Sequence, residues 1–301
     1  MAHSFPNSPS SLEKFLRERG GMPAKKWGQN FLLDENVHRK IVSEARLEPE
    51  DCVLEIGGGL GHLTRFMVGR VRRIWCAEID PRWCQVLNER FGDMPGFELL
   101  CLDVLSGKHS LAPALMAALG DCPTYKIVAN LPYNIAAPLI VNFLKLRRPP
   151  QSMVLMIQKE VADRLTASPG SSDYGPLTLY GHLYSSLEKV CDVSPSCFYP
   201  RPKVYSTVLK LAPCPAKYHL ESEESFKKIV DAVFNMRRKT LLNGLGRSIS
   251  WKIEKEELER ILRSAGFSPE RRGESLSVEE FVHLSNLLFP HFEAKKKIMN
   301  G

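Results

Sequence analysis

Cys52-Val53-Leu54-Glu55-Ile56-Gly57-Gly58-Gly59-Leu60-Gly61 decides the fold of this 301-residue chain. A short apolar run ends in a glycine cluster, and Leu63 to Val68 reads as the helix that follows. Glycines at a strand–helix turn let the backbone turn sharply and approach a ligand closely. The dinucleotide fingerprint needs glycine at the first, third and sixth positions; counted from Gly57 the sixth is His62, which weighs against a dehydrogenase. No Gly-Lys-Ser/Thr follows, so a triphosphate loop is excluded too. The spacing Gly57, Gly59, Gly61, led by Glu55, fits a loop that holds a nucleoside with no pyrophosphate to cradle.

Outward from this loop the pattern repeats. Arg73 to Ile79 reads as a second strand, Pro81 to Phe91 as a helix, Phe97 to Leu102 as a third strand. An alanine-rich helix near Leu111 to Leu119 precedes a fourth strand, Tyr125 to Ala129; Pro138 to Leu146 is a helix and Met153 to Ile157 a fifth strand. Apolar strands alternating with helices imply a parallel sheet covered on both faces. Val190 to Val193 and Val204 to Leu211, joined by a Pro-rich loop, read as an antiparallel hairpin at the sheet edge. Ala212-Pro213-Cys214-Pro215 reads as a linker. Beyond it the period is helical: Ser225 to Met236, Lys239 to Leu245, Glu254 to Ala265, and Ser277 to Leu288, which opens on the capping box Ser277-x-x-Glu280. The expected plan is a flexible tail over 1–22, an α/β domain over 23–212 and an all-α domain over 213–301, with a short helical piece near Leu12 to Arg19.

Composition is that of a globular protein, 44% hydrophobic and 25% charged. No apolar run of about 18 residues suggests a membrane span, and the polar stretch Met1 to Ser11 is not a secretory signal. The net charge of +7 is mild, but basic clusters recur at Lys25-Lys26, Arg70 with Arg72-Arg73, Arg147-Arg148, Arg237-Arg238-Lys239 and Lys295-Lys296-Lys297. The eight cysteines include no Cys-x-x-Cys pair, so no metal site is expected. Cys52, Cys76 and Cys101 lie in strand-like runs and read as buried, reduced thiols, which points to a reducing compartment.

Two further strand ends carry acids. Glu78-Ile79-Asp80 closes the second strand, where a carboxylate can accept both hydroxyls of a ribose, although Asp80 before Pro81 equally fits a helix cap. Asp103 follows the third, where a carboxylate can accept a hydrogen bond from an adenine amine. The fourth strand ends Asn130-Leu131-Pro132-Tyr133-Asn134. Asn130 offers a donor and an acceptor, Pro132 fixes the chain without a competing amide hydrogen, and Tyr133 offers a stacking face. These are the parts needed to hold a flat base with an exocyclic amine. His38, His62 and the pair Glu160 and Asp163 read as structural or solvated residues.

The chain resembles the ribosomal RNA adenine dimethyltransferases, most closely the bacterial enzymes acting on small-subunit RNA. The matching segments are Gly28-Gln29-Asn30-Phe31-Leu32, the glycine loop, Glu78-Ile79-Asp80, Asp103, Asn130-Leu131-Pro132-Tyr133, Gln158-Lys159-Glu160-Val161, Phe198 to Val204 and Phe234 to Thr240. Gly58 departs from the pattern, standing where the family usually has Pro; the departure is expected to loosen the loop without changing the cofactor. The resemblance implies a class I, Rossmann-like methyltransferase with a mostly parallel seven-stranded sheet, using S-adenosylmethionine. Asn30 and Leu32 would close over the cofactor, Gly57 and Gly59 would carry it, Glu78 would take the ribose and Asp103 the adenine. Asn130 would sit between cofactor and target, with the Leu131 carbonyl on the target amine and Tyr133 and Phe198 sandwiching the base.

The resemblance also implies the substrate, two adjacent adenosines near the 3′ end of 16S rRNA in the assembling small subunit, and a cytoplasmic, monomeric enzyme. Arg201, Lys203, Arg237, Arg238 and Lys239 would contact RNA. Two alternatives share the fold: a large-subunit RNA methyltransferase of the antibiotic-resistance type, which tends to have Ile where Leu131 stands, and a non-catalytic RNA-binding factor, against which the intact Glu78, Asp103 and Asn130–Tyr133 sets argue.

Overall fold

The computed structural model describes residues 5–19, 29–107, 110–214, 217–247 and 253–298, with side chains described up to residue 292. Gly28 and the Lys25-Lys26 cluster lie outside the described residues, as do the side chains of Lys295 to Lys297. The chain forms two compact units, Met1–Ala162 with Ser185–Pro213, and Asp163–Tyr184 with Cys214–Gly301.

The first unit is built on β2 (Cys52–Ile56), β3 (Arg73–Glu78), β4 (Phe97–Cys101), β7 (Lys126–Asn130) and β8 (Ser152–Gln158), followed by β9 (Ser185–Val193) and β11 (Ser206–Pro213). The short strands β5 (Leu105–Gly107) and β6 (Ser110–Leu111) and the helices α2 (Glu35–Glu44), α4 (Pro113–Gly120), α5 (Ala136–Leu144) and α6 (Lys159–Leu165) complete the chain order through this part. Their order is β4-β3-β2-β7-β8-β11-β9. The first five run parallel; β11 is antiparallel to both β8 and β9, which is the expected hairpin edge. All five residues of β2 are buried, as a central strand covered on both faces requires. Lys126 opens β7 from a buried position because its ammonium reaches Asp51 at 2.7 Å and the Arg46 carbonyl at 2.8 Å. The chain leaves β2 toward β3 and β4, then returns to the other side of β2 with β7. That reversal opens a crevice at the carboxyl ends of β2 and β7.

Several elements depart from the sequence reading. Leu63 to Val68 is no helix; only a short 3-10 turn, Thr64–Phe66, forms there. The Thr64 hydroxyl is drawn down to Glu55 at 2.7 Å, and Gly69 at φ +76° ends the turn. The segment before residue 22 is not a free tail. Helix α1 (Pro9–Glu18), capped by Ser8, buries Leu12 and Leu16 completely, in one cluster with Phe31, Leu60, Trp83 and Val86. Ahead of it, the Phe5 ring lies 4.6 Å from the Arg65 guanidinium and 4.2 Å from that of Arg90. Two short pieces absent from the reading, β1 (Phe31–Leu32) and β10 (Phe198–Tyr199), pair antiparallel and join segments far apart in sequence.

The expected set of unpaired thiols is also corrected. Cys52 is bonded to Cys122 and Cys84 to Cys101, while Cys76 stays free and buried. Cys52 opens β2 and Cys122 precedes β7, its neighbour in the sheet. Cys84 lies in α3 (Pro81–Phe91), which packs on β4, where Cys101 is the exposed last residue. Pairing of this kind follows from topology, which sequence spacing does not report. The inference of a reducing compartment loses Cys52 and Cys101 as its support.

The second unit is all helical: α7 (Pro176–Tyr184), α8 (Glu223–Asn235), α9 (Leu241–Gly246), α10 (Lys255–Ser264) and α11 (Val278–Ile298). Tyr174, Leu179 and Leu183 pack with Phe226, Ile229 and Phe281, so 163–184 belongs with the helices and not with the α/β unit to which the sequence reading gave it. The Ser277–Glu280 capping box forms in both directions, at 2.7 and 3.2 Å. The helix it starts runs past Leu288, through Pro290, to Ile298.

Candidate active site

A cleft of about 270 Å³ opens at the carboxyl ends of β2, β3, β4 and β7. Its lining includes Asn30, Leu32, Gly57, Gly59, Glu78, Asp103, Asn130, Leu131 and Tyr133, every residue expected around the cofactor and the target amine except Phe198.

Gly57 turns out of β2 at φ +77°, a conformation that L side chains rarely adopt. The turn lets its backbone N–H donate to the Ala77 carbonyl of β3 at 2.8 Å. A Cβ there would meet Pro132 Cδ at 3.5 Å and the Asn130 carbonyl at 3.6 Å, so the glycine loop and the Asn-Leu-Pro-Tyr segment face each other across one narrow gap. Gly58 is tighter. A Cβ at Gly58 would stand 2.2 Å from the Cys76 sulfur, which occupies the volume a larger residue would need. The family's usual Pro is thus matched here by a glycine over a buried thiol, which fills the space beneath the loop.

Glu78, 5% exposed, ends β3 with its carboxylate accepting three backbone N–H groups: Gly59 at 2.8 Å, Ile79 at 2.9 Å and Asp80 at 2.9 Å. Burial raises its pKa, and those three donors oppose the rise. One carboxylate therefore ties the glycine loop to the acid loop and leaves an oxygen-rich wall on the cleft. Asp80 takes the structural option: its side chain caps α3 on the Arg82 N–H and pairs with the Arg82 guanidinium at 2.6 Å. Asp103 is exposed at the cleft wall, and its Oδ1 accepts the Leu105 N–H at 2.9 Å.

Under the loop, burial raises the Glu55 carboxyl to about 8, so it stays protonated near neutral pH beside the Thr64 hydroxyl. His62 is buried, lowered to about 4 by its burial, and its neutral ring donates to the Pro6 carbonyl at 2.8 Å. It anchors the N-terminal segment.

On the target side, the Tyr133 hydroxyl shares a hydrogen bond with Ser206 Oγ at 2.9 Å, fixing the ring beside the cleft. Burial raises the pKa of that hydroxyl, opposed by Ser206. Phe198 sits elsewhere than expected: at 3% exposed it packs in the core with Leu32 and Val208 and does not line the cleft. Arg201 and Lys203 are exposed in the first unit, Arg238 and Lys239 in the second. Arg237 is already engaged, by Glu274 and by the Ser171 and Ser172 carbonyls at 2.7 and 2.9 Å. The run 237–239 fills the turn between α8 and α9 and does not start a helix.

Residues that the sequence reading missed include Ile79, 38% exposed on the cleft, and Ser206, which holds Tyr133. Ser206 directly follows the Phe198-to-Val204 segment and Tyr205, and only the sheet register brings it to Tyr133.

Residues 23–287 match the family model of ribosomal RNA adenine dimethylases. The chain belongs to that family. A ribosomal RNA small subunit methyltransferase A from Moorella thermoacetica is 40% identical over 285 residues, 93% of this chain and 98% of that one. The protein of the same name from Geobacillus kaustophilus is 38% identical over 290 residues, 95% and 97% of the two chains. Among solved structures, a dimethyladenosine transferase from Plasmodium falciparum aligns with a TM-score of 0.70 at 26% identity, covering 88% of this chain and 97% of its own. The 23S rRNA methyltransferase ErmE aligns with a TM-score of 0.63, also at 26% identity, covering 86% and 99%.

As a member of this family the chain is an S-adenosylmethionine-dependent ribosomal RNA adenine dimethyltransferase on a class I methyltransferase fold. The chemistry of the cleft fits a nucleoside cofactor: Glu78 and Asp103 put two carboxylates on its lining, and Ile79 adds an exposed apolar side chain. Among the described residues no cluster of His, Cys, Asp or Glu could hold a metal ion, and no helix is long and apolar enough to cross a membrane.

Proposed function

We propose that this chain dimethylates the N6 amine of two adjacent adenosines near the 3′ end of 16S rRNA, in the assembling small ribosomal subunit of the cytoplasm. The observation that carries the proposal is the meeting of Gly57, Glu78, Asp103 and the Asn130–Tyr133 segment in one cleft. Relatives 38–40% identical and named for the small subunit favour that RNA over the large-subunit substrate in ErmE's name.

S-adenosylmethionine supplies an already electrophilic methyl group, so the protein's task is placement. Glu78 would accept the ribose hydroxyls and Asp103 the adenine amine, with Asn30 and Leu32 closing the near wall. Asn130 and the Leu131 carbonyl accept hydrogen bonds from the target amine. An adenine amine is a weak nucleophile because its lone pair is delocalised into the ring. Acceptors on its hydrogens, two in the first transfer and one in the second, pull the nitrogen toward a pyramidal shape and free the lone pair. Tyr133, held by Ser206, stacks on the extruded base. No side chain need remove a proton beforehand, because the methylated amine is acidic while it carries the extra proton and gives that proton up to water. RNA phosphates fall to Arg201, Lys203, Arg238 and Lys239, with Arg237 holding the turn that presents the last two.

The proposal is tested with Asn130→Ala. Cofactor binding, measured by calorimetry, is expected within about threefold of wild type, and methyl transfer to fall by at least about a hundredfold, the order of a lost positioning contact at the reacting atom. Transfer at the wild-type rate would remove Asn130, and the mechanism with it.

A further inference from the structure

Among the described residues, only four large apolar side chains stand well exposed, and two of them are neighbours: Val204 at 43% and Tyr205 at 53%. They end the segment 201–205 between β10 and β11, in which Arg201 and Lys203 are exposed as well. The segment is pinned to the site at both ends. Upstream, Phe198 of β10 pairs with Leu32, a residue of the cleft wall. Downstream, the Tyr205 carbonyl accepts the Lys159 N–H at 2.9 Å, and the next residue, Ser206, holds Tyr133. Pro200 and Pro202 restrict the chain between these anchors. Among the described residues no ring stacks on Tyr205 and no hydrogen bond holds its hydroxyl.

An exposed strip that alternates two cations with a solvent-facing aromatic, beside the residue assigned to the target base, matches what a single RNA strand requires. The cations meet phosphates and the ring takes a base face. We propose that Tyr205 is a stacking platform for a nucleotide flanking the methylated adenosines, with Arg201 and Lys203 on the phosphates beside it. This rests on the RNA methyltransferase reading and adds a residue that grips the strand outside the reacting base. A stacked neighbour sets the register in which the target amine reaches Asn130, so Tyr205 is a positioning residue whose effect falls on RNA and not on the cofactor. An acidic protein surface would pair with the cations but would leave the ring face unused.

The test uses the full chain, unmethylated small ribosomal subunits and labelled S-adenosylmethionine. Tyr205→Ala is expected to raise KM for subunits roughly tenfold, within the range that loss of one base–aromatic stack produces. The cofactor Kd and the unfolding midpoint stay at wild-type values. Tyr205→Phe, which keeps the ring, retains wild-type KM, and Tyr205→Leu, apolar but not flat, behaves as Tyr205→Ala. KM for Tyr205→Ala within about twofold of wild type, an equal loss in Tyr205→Phe, or a matching rise in cofactor Kd would each overturn the proposal. Failure of the underlying reading looks different: wild type itself would transfer no label to ribosomal RNA.

Discussion

Gly58→Ala is the sharpest single-atom test of how the cofactor loop is supported. The added Cβ would lie 2.2 Å from the Cys76 sulfur and 3.0 Å from Leu87 Cδ1, where ordinary contact begins at 3.4 Å. Neither neighbour is free to retreat. Cys76 is fully buried in the middle of β3, and Leu87 is fully buried on α3. Overpacking of this kind costs about 1–3 kcal/mol, and a clash of about an ångström against a buried strand belongs at the upper end. Cys76→Ala removes the sulfur and with it the worst contact, leaving only the milder one to Leu87. Alone it costs about 1 kcal/mol for the small void; combined with Gly58→Ala it is expected to restore about 1–2 kcal/mol, a coupling that a double-mutant cycle resolves. Urea unfolding of the four proteins supplies the cycle, and cofactor Kd reports whether the loop has moved. Gly58→Ala within about 0.5 kcal/mol of wild type, or strictly additive effects, would refute the account of Cys76 as the filler of this position.

Three further outcomes follow from the same geometry. Glu78→Gln keeps the shape but loses the charge that accepts the ribose hydroxyls, so cofactor Kd should rise about ten- to hundredfold, the worth of a charged hydrogen bond; an unchanged Kd in calorimetry removes Glu78 from the site. Leu16→Ala empties a fully buried position of α1 and should cost about 2–5 kcal/mol in urea unfolding, with a weaker cofactor Kd because Phe31 and Leu60 share that cluster; a loss below about 0.5 kcal/mol would mean that α1 does not dock. Glu55 has its folded-state pKa raised to about 8 from 4.5, so its contribution to stability is full below about pH 4.5 and declines as pH rises through about 8. Glu55→Gln should flatten that part of the melting-temperature profile, and a wild-type profile that rises toward pH 8 with the same slope in the variant would contradict a protonated Glu55.

The fold was legible where local chemistry and tertiary role agree. Pro81 to Phe91 forms a helix with the limits that its proline start implies, and β2, β3 and β8 follow from buried β-branched and apolar runs. The cleft was legible for a related reason: its residues sit at strand ends, and in a parallel sheet those ends share one edge. What stayed hidden depends on packing between distant segments. Leu12 and Leu16 show helical spacing, yet nothing local says that they cover Leu60 and Phe31. Phe198 reads as an aromatic available for stacking until β10 pairs with β1 and turns it inward. Cys52 and Cys122 lie 70 residues apart and meet only because β2 and β7 are neighbours. Arg237 carries the same charge as Arg238, and only the fold hands it to Glu274. Tyr174 to Leu183 has the composition of either unit, and its partners in the helical core decide the matter.

The central claim is tested most directly by tritiated methyl transfer from S-adenosylmethionine to unmethylated small ribosomal subunits, with large subunits and naked 16S rRNA in parallel. The account predicts label recovered as N6,N6-dimethyladenosine at two adjacent positions near the 3′ end of the small-subunit RNA, and its loss with Asn130→Ala. Label confined to large-subunit RNA would contradict the substrate, and no transfer to any of the three by a protein that still binds the cofactor would contradict the mechanism itself.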